Sequence, residues 1–291
     1  MIHADMGHGL HRYAMPAHLT LQSRARAAGS SSPYESSLGG NSQSPRTILE
    51  QIERCGVVAV LVIDNLSHAV PTARALLKGG VNVMELTLRT PCAIDALRQI
   101  RAEVPGMLAG IGTVLEPRQI QEITEAGAAF AVAPGTNPRV ISAARALGLP
   151  FIPGIATPSD IEAAVELGCR ELKFFPAEPS GGLGYLKNVS APYAHLGIRF
   201  LPLGGLSPEN LRIYMNEPMI LAAGGSWLAT RQMIQAEAWG TIRANAAEAR
   251  RIIDSARKSN NEDSRLPLSV KLSGKPLKDR VAAKGPGCRG A

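Results

Sequence analysis

Between residues 45 and 257 the chain repeats one pattern eight times: a short apolar or β-branched run bounded by Gly, Pro, Thr or Ser, then an amphipathic stretch. The runs are 57–63, 81–88, 107–113, 130–134, 150–155, 171–175, 198–203 and 219–223, with helical periodicity over 67–78, 93–103, 117–126, 138–147, 158–167 and 208–215. Alternation of this kind makes successive strands parallel and covers both faces of their sheet with helices. Ser67, Asn137, Thr157 and Ser207 can each accept a bond from a first-turn N–H, and proline follows three of them at the first helical position. Gly79, Gly127, Gly148 and Gly168 stand where helices are expected to stop. Eight such units in residues 45–257 predict a single-domain α/β fold, a closed (β/α)8 or TIM barrel near the short end of its range. An open doubly wound sheet is the competing architecture, but no GxGxxG turn follows the first strand.

The longest apolar stretches, such as 57–63 and 219–223, are far shorter than the roughly 20 residues a membrane-spanning helix needs, so no membrane association is expected. Cys55, Cys92, Cys169 and Cys288 form no CxxC pair and have no histidine at ligand spacing. Reduced thiols, a cytoplasmic location, and neither metal nor cofactor are expected. The formal net charge of +7 is unevenly placed: residues 45–257 hold 20 Lys and Arg against 19 Asp and Glu, whereas residues 258–291 hold 8 against 3. Excess charge confined to a Gly-, Pro-, Ser- and Lys-rich segment reads as a basic disordered tail. No specific nucleic-acid partner is expected; an arm of that kind would reveal itself by strongly salt-dependent binding. Residues 1–44, rich in Ser, Gly and His and without period, read as a disordered extension. A transit peptide, or a misplaced start with Met6 and Met15 as internal candidates, are the other readings.

A barrel of this class places its chemistry at the carboxyl ends of the strands. The second run ends Glu85-Leu86-Thr87-Leu88-Arg89-Thr90, and period two puts Glu85, Thr87 and Arg89 on one face. The third ends Gly112-Thr113, the fourth Pro134-Gly135, the seventh Gly204-Gly205 and the eighth Gly224-Gly225-Ser226. Lys173 interrupts an apolar run between Leu172 and Phe174, on a strand covered on both faces. Desolvation there penalises the ammonium and favours the free amine that a Schiff base requires. The other reading is a lysine whose stem is packed and whose head reaches water at the rim. Glu85 could serve as a general base beside such an amine, or simply as a salt-bridge partner of Lys173 or Arg89. Arg89 offers a planar fork for a keto-acid carboxylate. Thr113 is a candidate hydroxyl donor or an ordinary β-branched strand residue. The glycine pairs, with Ser226, leave backbone N–H groups open where this fold frequently holds phosphate, although glycine turns also arise for steric reasons alone.

The strings Glu85-Leu86-Thr87-Leu88-Arg89-Thr90, Gly112-Thr113-Val114-Leu115, Pro134-Gly135, Lys173-Phe174-Phe175-Pro176-Ala177-Glu178, Gly204-Gly205-Leu206-Ser207-Pro208 and Gly224-Gly225-Ser226-Trp227 resemble one family. It is that of the class I aldolases of 2-keto-3-deoxy-6-phosphogluconate (KDPG) and 4-hydroxy-2-oxoglutarate (KHG). The likeness spans roughly residues 48–256 and neither tail. It implies a (β/α)8 barrel, a homotrimer, and cleavage of a small keto-acid substrate to pyruvate plus glyceraldehyde 3-phosphate or glyoxylate. By the same resemblance Lys173 forms the imine and Glu85 is the general acid and base. Arg89, Thr113 and Lys173 would hold the pyruvate portion, Pro134 and Phe175 would wall the pocket, and Gly204, Gly205, Gly225 and Ser226 would form the phosphate end. The seventh strand departs from the family's usual Pro-Thr-Gly-Gly, reading Pro202-Leu203-Gly204-Gly205. The lost hydroxyl makes a 2-keto-3-deoxy-6-phosphogalactonate aldolase the alternative within the family. A phosphate-binding barrel without carbon–carbon chemistry is the alternative outside it.

Overall fold

Ser44 accepts a hydrogen bond from the Thr47 N–H and Pro45 follows it, so the first helix, α1 (Pro45–Cys55), starts before the first strand. The structure, a computed structural model, describes residues 44–265. The predicted 1–44 extension, apart from Ser44, and the tail beyond residue 265 lie outside the described residues.

Strand and helix then alternate: β1 (Val57–Leu61), α2 (Ala69–Lys78), β2 (Val83–Thr87), α3 (Ala93–Glu103), β3 (Leu108–Gly112), α4 (Pro117–Glu125), β4 (Ala131–Val132), α5 (Pro138–Ala146) and β5 (Phe151–Ile152). They continue as β6 (Gly154–Ile155), α6 (Pro158–Glu166), β7 (Glu171–Phe174), α7 (Gly182–Ser190), β8 (Arg199–Pro202), α8 (Pro208–Met215), β9 (Ala223–Gly225), α9 (Arg231–Gln235) and α10 (Trp239–Arg265). The strands form two parallel sheets, ordered β5-β4-β3-β2-β1-β9 and β6-β7-β8. Single bridges, Phe200↔Ile220 and Leu203↔Gly224, join the β8 segment to the segment containing β9. The fold is an α/β barrel-like arrangement.

This corrects the expectation of eight unbroken strands closed into one sheet. The fifth run is split into β5 and β6 at Pro153, which has no N–H to give to the ladder. The eighth run forms strand only from Ala223, downstream of its predicted start at 219. Ser67 does not cap a helix: Asn65 accepts its N–H at 3.0 Å and caps a short 3₁₀ turn, Leu66–His68, that leads into α2. Asn137, Thr157 and Ser207 do cap α5, α6 and α8, the last two through capping boxes.

The core lies both inside the barrel and between strands and helices; every residue of β2 and β3 is buried. α10 packs on α2 and on α8, and a Cβ on Gly79 at the end of α2 would meet the Ala246 Cβ at 2.5 Å. α1 buries Ile48, Ile52 and Cys55. Its neighbours in the surrounding clefts are residues at the amino ends of β2, β5, β7 and β9. The helix therefore lies across the amino-terminal end of the barrel. Its last carbonyls are satisfied from α10, with Arg257 donating to Glu53 and Arg54 and Arg250 to Cys55.

Candidate active site

Parallel register carries the sequence of each strand into the lumen as a layer. Glu85 stands beside Val60 on β1 and Gly110 on β3, while Lys173 stands beside Gly154 on β6 and Leu201 on β8. From opposite sheets the two side chains meet: Lys173 Nζ donates to Glu85 Oε1 at 3.3 Å. Their side chains are 6% and 1% exposed, so neither is a rim residue and the packed-stem reading of Lys173 is excluded. Glu85 Oε2 is buried and has no hydrogen-bond partner. Gly112 makes room for this carboxylate, since a Cβ there would lie 1.7 Å from Glu85 Oε1. A buried ion pair adds little to stability, because desolvation of both charges offsets their attraction. An orphaned buried oxygen adds a further penalty that only a ligand, a proton or a water can relieve.

The remaining predicted residues gather around this pair unequally. The Phe175 ring centroid is 5.1 Å from Lys173 Nζ, and a Cβ on Gly204 would touch that ring at 3.2 Å. Pro134 approaches from the other side, its carbonyl 2.2 Å from where a Cβ on Gly154 would be. Thr113 follows β3 with φ of 61°, a left-handed conformation that is unusual for a β-branched residue and stores strain. Gly225 and Ser226 close β9 beside the seventh-strand turn; a Cβ on Gly225 would sit 2.7 Å from the Trp227 ring and 3.7 Å from the Leu206 carbonyl oxygen. Leu203 is 2% exposed and one alternation nearer the mouth than Leu201, on the face Lys173 occupies. Arg89 lies two residues beyond the end of the strand, so alternation along β2 does not extend to it. β2 ends at Thr87, the Arg89 N–H turns back onto the Thr87 carbonyl at 2.7 Å, and Arg89 is exposed. Thr87 also turns its hydroxyl away from substrate use, donating to the Leu61 carbonyl at 3.0 Å.

Glu178 closes the Lys173–Glu178 string but carries no expected role from the sequence, and neither does Tyr214. The fully buried Tyr214 donates to Glu178 Oε1 at 2.5 Å. Burial, and then this bond, hold its phenol well above the usual tyrosine range. No local signal marks a contact between residues so distant in sequence. Among the described residues no group of three or more His, Cys, Asp or Glu side chains is arranged to hold a metal ion. No helix among them is long and apolar enough to cross a membrane.

Comparison with known proteins converges on one group. The sequence profile of the aldolase family described as KDPG and KHG aldolase matches residues 48–245. The KHG/KDPG aldolase of Escherichia coli (strain K12) is 45% identical over 205 residues, covering 70% of this chain and 95% of its own. The 2-dehydro-3-deoxy-phosphogluconate aldolase of Dickeya dadantii (strain 3937) is 46% identical over 205 residues, covering 70% and 95%. A crystal structure of the KDPG aldolase of Legionella pneumophila, with pyruvate captured as a covalent carbinolamine intermediate, superposes with a TM-score of 0.67. It is 34% identical and covers 71% of this chain and 98% of its own. With an enclosed lysine and carboxylate at the centre of the barrel and matches of this extent, the chain belongs to the KDPG and KHG aldolase family.

Proposed function

We propose that this protein is a Schiff-base aldolase that cleaves a 2-keto-3-deoxy-6-phospho sugar acid, or 4-hydroxy-2-oxoglutarate, to pyruvate and an aldehyde. The observation that carries the reading is the enclosed Lys173 amine 3.3 Å from a carboxylate whose second oxygen is unpartnered. The amine of Lys173 adds to the C2 carbonyl of the keto acid, and loss of water from the carbinolamine leaves an iminium. Glu85 takes the proton of the C4 hydroxyl as the C3–C4 bond breaks. The bonding electrons enter the iminium to give an enamine, and the aldehyde departs. Protonation at C3 and hydrolysis then release pyruvate and restore the amine. The pyruvate carbinolamine captured in the Legionella relative supports the same order of events here.

Thr113 and Arg89 serve the pyruvate carboxylate, Arg89 by swinging its exposed fork across the mouth. Pro134 and Phe175 wall the reacting carbons. The backbone around Gly204, Gly205, Gly225 and Ser226 takes the phosphate. In this reading the two sheets act as one closed (β/α)8 barrel, joined through the Pro153 interruption and the two bridges beside β9. The catalytic domain is residues 45–257, with 1–44 and 258–291 as appendages, although α10 continues to Arg265. A cytoplasmic homotrimer completes the proposal; the free thiols of Cys55, Cys92 and Cys169 suit a reducing compartment.

Pyruvate with borohydride is expected to leave one covalent label per chain, on Lys173, and Lys173→Ala to lose both the label and retro-aldol turnover. A label elsewhere, or none, overturns the mechanism.

A further inference from the structure

We propose that Tyr214 and Glu178 form a positioning pair that clamps the Gly204–Gly205 turn and thereby sets the enzyme's preference for phosphorylated substrates. The inference rests on the reading that this turn takes the phosphate.

Gly204 and Gly205 have φ of 96° and 84°, so two consecutive residues occupy backbone space that no side chain stabilises. Left to itself such a turn would sample many conformations, and its N–H groups would bind an anion weakly because ordering them opposes binding. Three contacts to the segment after β7 restrain it. The Ala177 N–H donates to the Leu203 carbonyl at 2.8 Å, and the Glu178 N–H donates to the Gly204 carbonyl at 3.0 Å. Gly205 rests against Glu178, whose Cβ would be only 2.6 Å from a Cβ added to the glycine.

Glu178 is itself exposed, so its side chain needs an anchor to act as a wall. Tyr214 provides it. The phenol is on α8, the helix that begins just after the turn, and reaches back to the carboxylate at 2.5 Å. A closed circuit results. It runs from the turn into α8, across Tyr214 to Glu178, and from Glu178 back both to the turn and, five residues earlier in sequence, to Lys173. The circuit ties the anion end of the site to the imine end. It therefore governs the distance between them, which only a substrate carrying phosphate has to match.

The test compares the 6-phospho substrate with 4-hydroxy-2-oxoglutarate, which has no phosphate. Tyr214→Phe and, separately, Glu178→Ala are expected to raise KM for the phosphorylated substrate about tenfold while kcat stays within about twofold, as for loss of one hydrogen bond to a charged group. KM for 4-hydroxy-2-oxoglutarate should not move. Glu178→Gln, which keeps an acceptor for the phenol, should recover most of the loss. Glu178→Ala alters an exposed side chain, so it decides the matter even if Tyr214→Phe folds poorly. Equal changes for both substrates, or none for either, overturn the pair. Ser226→Ala separates the two layers of the argument. If it raises KM for the phosphorylated substrate while the pair variants do not, the clamp alone is wrong; if it too leaves that KM unchanged, the phosphate placement and the clamp fall together.

Discussion

The two ends of this barrel are built to opposite standards. At the amino-terminal end α1 closes the floor with buried Ile48, Ile52 and Cys55, its first turn is capped by Ser44, and the carbonyls of its last turn are met by Arg250 and Arg257. At the other end polar groups are left over. The buried side-chain polar atoms without partners among the described residues are His68 Nδ1, Glu85 Oε2 and Trp227 Nε1. The first and third lie just past β1 and β9, and the second points into the lumen. Of the two non-glycine residues with positive φ among the described residues, Thr113 follows the carboxyl end of β3, and Glu237 lies in the link between α9 and α10. Of these exceptions Glu85 and Thr113 belong to the proposed site, where broken local rules are to be expected.

Glu85→Gln is the sharpest way to break that contrast. It keeps the shape and removes the proton acceptor, so turnover is expected to fall by about 10²-fold or more while borohydride trapping of pyruvate remains detectable. Unchanged turnover would reduce the Lys173–Glu85 contact to a structural ion pair.

Ile52→Ala probes the opposite end. Ile52 is fully buried in the floor, and truncation there should cost about 2–5 kcal/mol of unfolding free energy, measured by denaturant titration, with kcat/KM unaltered. A matching loss of kcat/KM in the folded fraction would show that floor and mouth are not separable.

Leu203→Thr restores a hydroxyl on the lumen side near the mouth. An apolar neighbour separates related substrates by only about 1–3 kcal/mol, so the wild-type protein is expected to discriminate poorly between phosphogluconate and phosphogalactonate epimers. The substitution should shift the ratio of their kcat/KM values toward the gluconate form. Wild-type preference for that epimer already beyond about 10³-fold would show that other residues decide.

The smallest expected effect is at Thr113. Glycine tolerates φ of 61°, so Thr113→Gly should relieve strain and change stability by no more than about 1 kcal/mol in the favourable direction, after the entropy of the added glycine is counted. KM for the keto acid should rise. A melting temperature that falls would mean the conformation carries no strain.

Much of this is legible in the sequence alone. Alternating period, proline and glycine punctuation and helix caps are effects of near neighbours, so the order of the strands and of most helices between them, the place of Lys173 and Glu85 within strands, and the glycine turns at strand ends could be read directly. Near neighbours also explain Pro153, whose missing N–H breaks the fifth strand, although its consequence for the ladder appears only when a partner strand is present. What the chain alone could not disclose depends on residues far apart. Lys173 meets Glu85 across 88 positions, and Tyr214 meets Glu178 across 36. Where β2 ends is likewise decided by its pairing with β3, which stops at Thr87↔Gly112 and so leaves Arg89 exposed beyond the strand, outside the alternation its sequence suggests. Sequence period dictates which face a side chain takes while a strand lasts. Only the packed ladder decides how long the strand lasts and which faces then look at one another, because those hydrogen bonds and buried contacts exist only once distant segments are brought together.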